Sequence, residues 1–178
     1  MALTNLQLAQ AGTYPAVISN ALGAVTSAPA MLNVIVPVER RPVPGINLFG
    51  DAGSLLNLDW VDSLSQSPLW TSLDSVSLTS TSQYYFDLTA PLPPQRFYRA
   101  WQTTIPTNPP SLGLSMVPAL ALTGSPGDKV RVDGINQVGP TDAWFTLDTV
   151  TLTNMSQLYF DVTAPGQPPR LYRLVPGP

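Results

Sequence analysis

Apolar and polar residues alternate along short stretches of this chain. Leu56, Leu58 and Trp60 are interleaved with Asn57 and Asp59, and Val130 and Val132 with Arg131 and Asp133. A period of two is the signature of a half-buried strand. Further strand-like segments are Val76–Leu78, Tyr84–Leu88 and Phe97–Arg99, then Val150–Leu152, Leu158–Val162 and Leu171–Arg173. Clusters of Ser, Thr, Asn, Pro and Gly separate them, as expected of turns.

These segments come in two copies. Trp70 to Arg99 and Trp144 to Arg173 align without a gap at an offset of 74, with 18 of 30 positions identical. Gly50 and Gly53 match Gly124 and Gly127 at the same offset, so the register extends upstream of the aligned window. A duplication of this kind fixes the architecture before any other feature does. It predicts an all-β fold with two tandem, homologous, small antiparallel β-sandwich-like units of four or five strands each. The boundaries read as β-repeat 1 over 46–102, a Pro-rich connector over 103–113, and β-repeat 2 over 114–178. The connector suits either a hinge or a packed crossover. Residues 37–45 contain Pro42, Pro44 and Gly45 and read as an extended, unpaired linker.

Composition strengthens this picture. The chain of 178 residues is 44% apolar but only 11% charged, against about 25% in an average soluble domain. It has ten Asp, one Glu (Glu39) and one Lys (Lys129), with 20 Pro and 12 Gly. Helix-compatible surface residues are scarce and turn formers abundant. The formal net charge is −3 and no basic cluster exceeds Arg40–Arg41, so nucleic acid is not an expected partner. The longest apolar run, Val34–Val38, is far short of the roughly 20 residues that span a bilayer. No signal peptide is read at Met1–Asn5, which has neither a basic start nor an apolar stretch.

Cysteine and histidine are absent. Thiol nucleophiles, disulfides, zinc–thiolate sites, Ser-His-Asp and Cys-His catalysis, and His-ligated metals are thereby excluded. Gly113–Val117 begins like a nucleophile elbow but lacks its second glycine, and Gly127–Gly134 lacks the ligand rhythm of a calcium hand. The polar residues shared by the aligned windows are Asp74/Asp148, Asp87/Asp161, Arg96/Arg170 and Arg99/Arg173. Asp87 and Asp161 are therefore the catalytic candidates, since carboxylates hydrolyse glycosides or esters without histidine. Their alternative role is a structural pair with Arg96 or Arg99, and with Arg170 or Arg173. Trp70/Trp144 and Tyr98/Tyr172 are expected in the core. Trp60 and Trp101 are matched by Gly134 and Val175, which frees them to bind a ligand. No cofactor is required, a calcium site built from dispersed Asp residues stays open, and the metal ligands are unknown.

Residues 1–36 carry a further pattern: Gln10-Ala11-Gly12-Thr13-Tyr14, then Val17-Ile18-Ser19, the turn Asn20-Ala21-Leu22-Gly23, and Val25-Thr26. It resembles the last two strands of an immunoglobulin-like domain of the intermediate-set kind. Gly12-x-Tyr14 would be the tyrosine corner. Gln10 replaces the usual Asp, and Ala16 stands at the second cysteine. The whole chain resembles C-terminal regions of large secreted proteins of Verrucomicrobia and Planctomycetes. The shared words are Trp70-x-x-Leu73, Tyr85-Phe86-Asp87 and Arg96-Phe97-Tyr98-Arg99, with their second copies.

That resemblance implies an extracellular or cell-surface parent protein, with fibronectin-like accessory repeats after a partial immunoglobulin-like segment. The implied function is a non-catalytic spacer, adhesion or carbohydrate-binding module whose partner is a carbohydrate or protein surface. The alternative is a small His-free hydrolase of an ester, lactone or glycoside using Asp carboxylates, with calcium as an option. The apolar hairpin face of Val17, Val25, Leu32 and Val34 needs a cover. The expected covers are repeat 1 or, in a homodimer, a second chain.

Overall fold

The computed structural model describes residues 12–32, 38, 40–89, 94–137 and 143–177. Residues 1–11 and 33–36 of the immunoglobulin-like pattern lie outside that set. Among the described residues the protein is all-β, and every strand pairing is antiparallel. The strands near the N-terminus are β1 (Gly12–Tyr14), β2 (Val17–Asn20), β3 (Gly23–Thr26) and β4 (Ala30–Leu32). A first set follows: β5 (Arg40–Phe49), β6 (Leu55–Val61), β7 (Thr71–Ser77), β8 (Ser82–Phe86) and β9 (Phe97–Trp101). The second set is β10 (Ser111–Thr123), β11 (Lys129–Ile135), β12 (Phe145–Thr151), β13 (Ser156–Phe160) and β14 (Leu171–Pro176).

The two sets correspond strand by strand. β6, β7 and β8 recur 74 residues later as β11, β12 and β13 with unchanged lengths, and β5 and β9 fall within β10 and β14 at that offset. Details below the level of strands recur as well. The β6–β7 ladder shifts register between Leu58 and Asp59, and the β11–β12 ladder between Val132 and Asp133. Gly53 and Gly127 turn the chain before β6 and β11 at φ +86 and +96, a region that L side chains rarely adopt. Each donates its N–H across the turn, to Leu78 and Leu152 respectively.

The chain divides into two compact units. The larger consists of Arg40–Thr123 with Ser156–Pro169 and contains two sheets, ordered β13-β10-β5-β8 and β7-β6-β9. Alternation places Ile46 and Leu48 of β5 on one face of the first sheet. They meet Leu56 and Leu58 of β6 and the buried Leu78 in one core, with Leu73, Val76, Tyr85, Tyr98, Ala100 and Leu112 packed around it. The other unit comprises the described parts of Met1–Glu39, Gly124–Met155 and Arg170–Pro178. It holds a sheet ordered β12-β11-β14 and the two-stranded pairs β2-β3 and β1-β4. Val132, Ile135, Leu152 and Tyr172 are buried there. The β2–β3 turn is closed by the Asn20 side chain, which accepts the N–H of Leu22 at 2.8 Å. The apolar residues of this hairpin are exposed, Ile18 at 77%.

Two boundaries differ from the sequence reading. Arg40–Gly45, read as an unpaired linker, opens β5, and Ser111–Gly113 of the presumed connector opens β10. β5 and β10 pair over ten residues, from Phe49↔Ser111 to Arg40↔Leu120. The prolines do not prevent this, because an antiparallel strand turns alternate N–H groups away from a given neighbour. The carbonyls of Pro44 and Pro118 accept the N–H groups of Asp87 and Asp161 on the outer side of the β5–β10 pair. The missing proline donors face that same outer side. The rest of the connector is a packed crossover, because Asp51 accepts the backbone N–H groups of Thr107 and Asn108 at 2.8 and 3.2 Å.

The β5–β10 ladder is self-complementary. Val43 pairs with Val117, its own counterpart at the 74-residue offset. Phe86 of β8 and Phe160 of β13 are likewise counterparts, and their rings stack at 3.8 Å and 6°. A local twofold axis therefore passes through both contacts. Gly45 is needed beside it, since a Cβ there would lie 2.5 Å from Cγ2 of Val117. Gly45→Ala should destabilise the protein by about 1–3 kcal/mol through overpacking. Adding Val117→Ala should recover part of that loss. Urea unfolding of the two single variants and the double variant checks this; strict additivity would show that the close approach carries no energy.

Candidate functional site

Asp87 lies just past the end of β8, where Tyr84-Tyr85-Phe86 alternate between the two faces of the sheet. It is 1% exposed. One carboxylate oxygen accepts the N–H and Oγ1–H of Thr89 at 2.9 and 2.6 Å. The other accepts Nη1–H of Arg96 at 2.8 Å and the hydroxyl of Tyr98 at 2.7 Å. Burial pushes the acid upward, but the bonds from Thr89, Tyr98 and Arg96 prevail and hold it below its ordinary value. Burial and the bond to Asp87 push the Tyr98 hydroxyl well up. Tyr98 is thus a fixed donor and Asp87 a fixed anion. Asp161, 0% exposed, accepts the same two bonds from Thr163, at 3.0 and 2.6 Å.

A second buried acid in each repeat, not singled out from sequence, sits at the bulge. Asp59 and Asp133 are also 74 positions apart, but they precede the ungapped window. That shared offset was the available signal. Arg99 binds Asp59 through Nε at 2.8 Å and Nη2 at 2.7 Å. Arg173 binds Asp133 in the same way, both distances being 2.9 Å. Of the two arginines proposed for Asp87, Arg96 is the partner and Arg99 is not. Arg173 likewise serves Asp133. Asp133 also receives Nε of Arg131 at 2.9 Å and the hydroxyl of Thr146 at 3.1 Å. Burial raises its acid, while Arg131, Arg173 and Thr146 outweigh this and keep it below the ordinary range.

Two of the tryptophans take different places from those expected. Trp70 and Trp144 are half-buried rather than core residues. Each lies under a guanidinium, of Arg99 and Arg173 respectively, at 4.5 Å from ring centroid to Cζ. Tyr172 is buried and Tyr98 half-buried. Trp60, a ligand candidate, stacks under Arg96 at 3.9 Å. Its counterpart Gly134 has no room for a ring: a Cβ would meet Arg170, Leu147 and Phe145 at 3.0–3.3 Å. Phe145 supplies the ring instead and faces Arg170 at 5.1 Å. Trp60 pairs in register with Thr71, and Gly134 with Phe145. The aromatic has moved across the ladder while the arginine contact is kept, so Trp60 packs the fold. Trp101 is 41% exposed and donates its indole N–H to Asp59 at 2.9 Å. The four candidates thus fall into three places: Asp87 and Trp60 share Arg96, Trp101 lies at Asp59, and Asp161 is bound to Thr163 in its own turn.

Two surface grooves are formed by described residues. One is lined by Ile18, Leu22 and Val25 of the hairpin, another by Arg40, Arg41 and Met116. Neither contains a candidate carboxylate. Among the described residues, no group of three His, Cys, Asp or Glu could hold a metal ion, and no helix is long and apolar enough to cross a membrane. No family model, curated protein or solved structure matches the chain.

The depressed acids predict an acid limb of stability. A carboxylate held below its ordinary value of about 3.9 stabilises the fold fully above that pH, and the contribution is lost as pH falls through the lower, folded-state value. Unfolding midpoints should therefore be flat from neutral pH to about pH 5 and fall steeply below about pH 4. Asp87→Asn should lower the neutral midpoint and flatten that limb. Asp87→Ala, which leaves Arg96 with the longer contact to the exposed Asp62 at 3.9 Å, should cost about 3 kcal/mol. Urea titrations at several pH values give the comparison; an unchanged acid limb in Asp87→Asn would contradict the assignment.

Proposed function

We propose that this chain is a non-catalytic β-module: a spacer, adhesion or carbohydrate-binding part of an extracellular protein. In this reading residues 1–36 belong to the end of an immunoglobulin-like domain. Two small, homologous, fibronectin-like sandwich units follow, related by the 74-residue offset.

One observation carries the reading. The carboxylate best placed for chemistry, Asp87, is enclosed and receives four hydrogen bonds from Thr89, Arg96 and Tyr98. A general base needs a pKa near the working pH and access to substrate. Asp87 is held as a weak base and is shut from solvent. A retaining or inverting glycosidase needs a second carboxylate across a cleft, whereas Asp59 is bound to Arg99 and Trp101. These contacts make both acids part of the framework.

The test is a panel of chromogenic esters, lactones and glycosides, run with and without calcium chelator. No turnover above background is expected in any well. Turnover that disappears in a folded Asp87→Asn variant would establish the hydrolase instead.

A further inference from the structure

We propose that the outer face of the β7-β6-β9 sheet carries a site for a neutral pyranose ring, built from Trp101, Asn57 and Ser75. The inference rests on reading the chain as a binding module rather than an enzyme.

The three residues form a row across the sheet. Asn57 pairs in register with Ser75 on one side and with Trp101 on the other. At about 4.8 Å per strand the row is roughly 10 Å across, enough for one sugar ring and its hydroxyls. Trp101 presents an exposed aromatic surface, and its bond to Asp59 fixes the ring. Asp59 is itself fixed by Arg99. A pre-positioned side chain loses little entropy on binding. The Ser75 hydroxyl donates to Oδ1 of Asn57 at 2.8 Å. That bond leaves the Asn57 amide hydrogens free to donate and the Ser75 oxygen free to accept. Neighbouring sugar hydroxyls need one acceptor and one donor of this kind, while the C–H face of the ring takes the indole.

The second repeat shows that the fold does not need these residues. Their counterparts are Val175, Arg131 and Thr149. There Arg131 supplies the donor to Asp133 that Trp101 supplies to Asp59. The buried acid is served either way, so what Trp101 adds is surface. A neutral ligand fits because the row itself holds no cation: Asp59 and Arg99 are closed on each other at 2.7 Å, and the Asp74 carboxylate is engaged by the N–H of Ser75 at 2.7 Å.

The experiment uses the full chain and NMR of its indole N–H groups. Hexasaccharides of cellulose, mannan and galactan type are the neutral probes, with a galacturonan as the acidic one. At least one neutral probe should shift the Trp101 indole signal, with a Kd on the order of a millimolar. Trp101→Ala should weaken that probe about tenfold. Asn57→Ala, which leaves the Trp101–Asp59 bond intact, should weaken it as well. The paired change Arg131→Asn with Val175→Trp copies the row onto the β12-β11-β14 sheet and should raise the stoichiometry from one to two. The proposal is overturned if no neutral probe shifts Trp101, if both single variants bind as the parent does, or if only the galacturonan binds. Those failures leave the non-catalytic reading standing, since it falls only to turnover in the substrate panel.

Discussion

The pairing of β5 with β10 is the constraint on which the larger unit depends. It joins the first strand of one repeat to the first strand of the other along ten residues. Such a ladder must satisfy the backbone on both sides, and the prolines decide how. With Pro42 and Pro44 on β5 and Pro118 on β10, the missing donors are ones that would point outward, away from the partner strand. The segment cannot pair equally well in a slipped register, because a one-residue shift would bring the proline positions inward and invert every side chain. Val43 and Val117 at the centre, roofed by the stacked rings of Phe86 and Phe160, then bury the middle of the ladder.

A chain with so few charges uses them sparingly. Burying a carboxylate is costly unless its lone pairs are filled, and each repeat buries two. Asp87 and Asp161 tie the end of one strand to the turn that follows it. Asp59 and Asp133 sit at a bulge and anchor an arginine that continues onto a tryptophan face. The acid, guanidinium and indole thus form a continuous strut on the outer side of the sheet. Its parts reinforce one another, since the carboxylate fixes the guanidinium over the ring.

The all-β class and most strand positions were legible in the sequence, because period-two alternation and the 74-residue offset are local signals. The β5–β10 pairing was not. It joins residues more than 60 positions apart, and its prolines, considered one at a time, argue for a linker. Only the direction in which their missing donors would point removes the objection. The arginine partners were half legible: retention of Asp87 and Arg96 suggested a pair, but the competing acid Asp59 lay outside the aligned window. The contact that Trp60 makes with Arg96 was not legible, because its counterpart is glycine. The compensating ring is on the neighbouring strand, at Phe145, where Trp60's own partner is Thr71. Comparing single positions cannot reveal an exchange between two paired strands.

That exchange also indicates where binding specificity would reside. Two copies of one framework must keep the same internal contacts, and the differences between them are of two kinds. Trp60 with Thr71 against Gly134 with Phe145 preserves an aromatic–arginine contact. Trp101 with Asn57 against Val175 with Arg131 preserves the donor to the buried acid but alters what solvent meets. In one copy that surface is a flat ring beside an amide, in the other an aliphatic side chain beside a guanidinium already occupied by Asp133. A substitution that conserves the interior while changing the exterior is free to follow a ligand without a cost in stability. On the proposed binding role, the asymmetry between the repeats therefore tells more about recognition than the residues they share, which are engaged in holding the sheets.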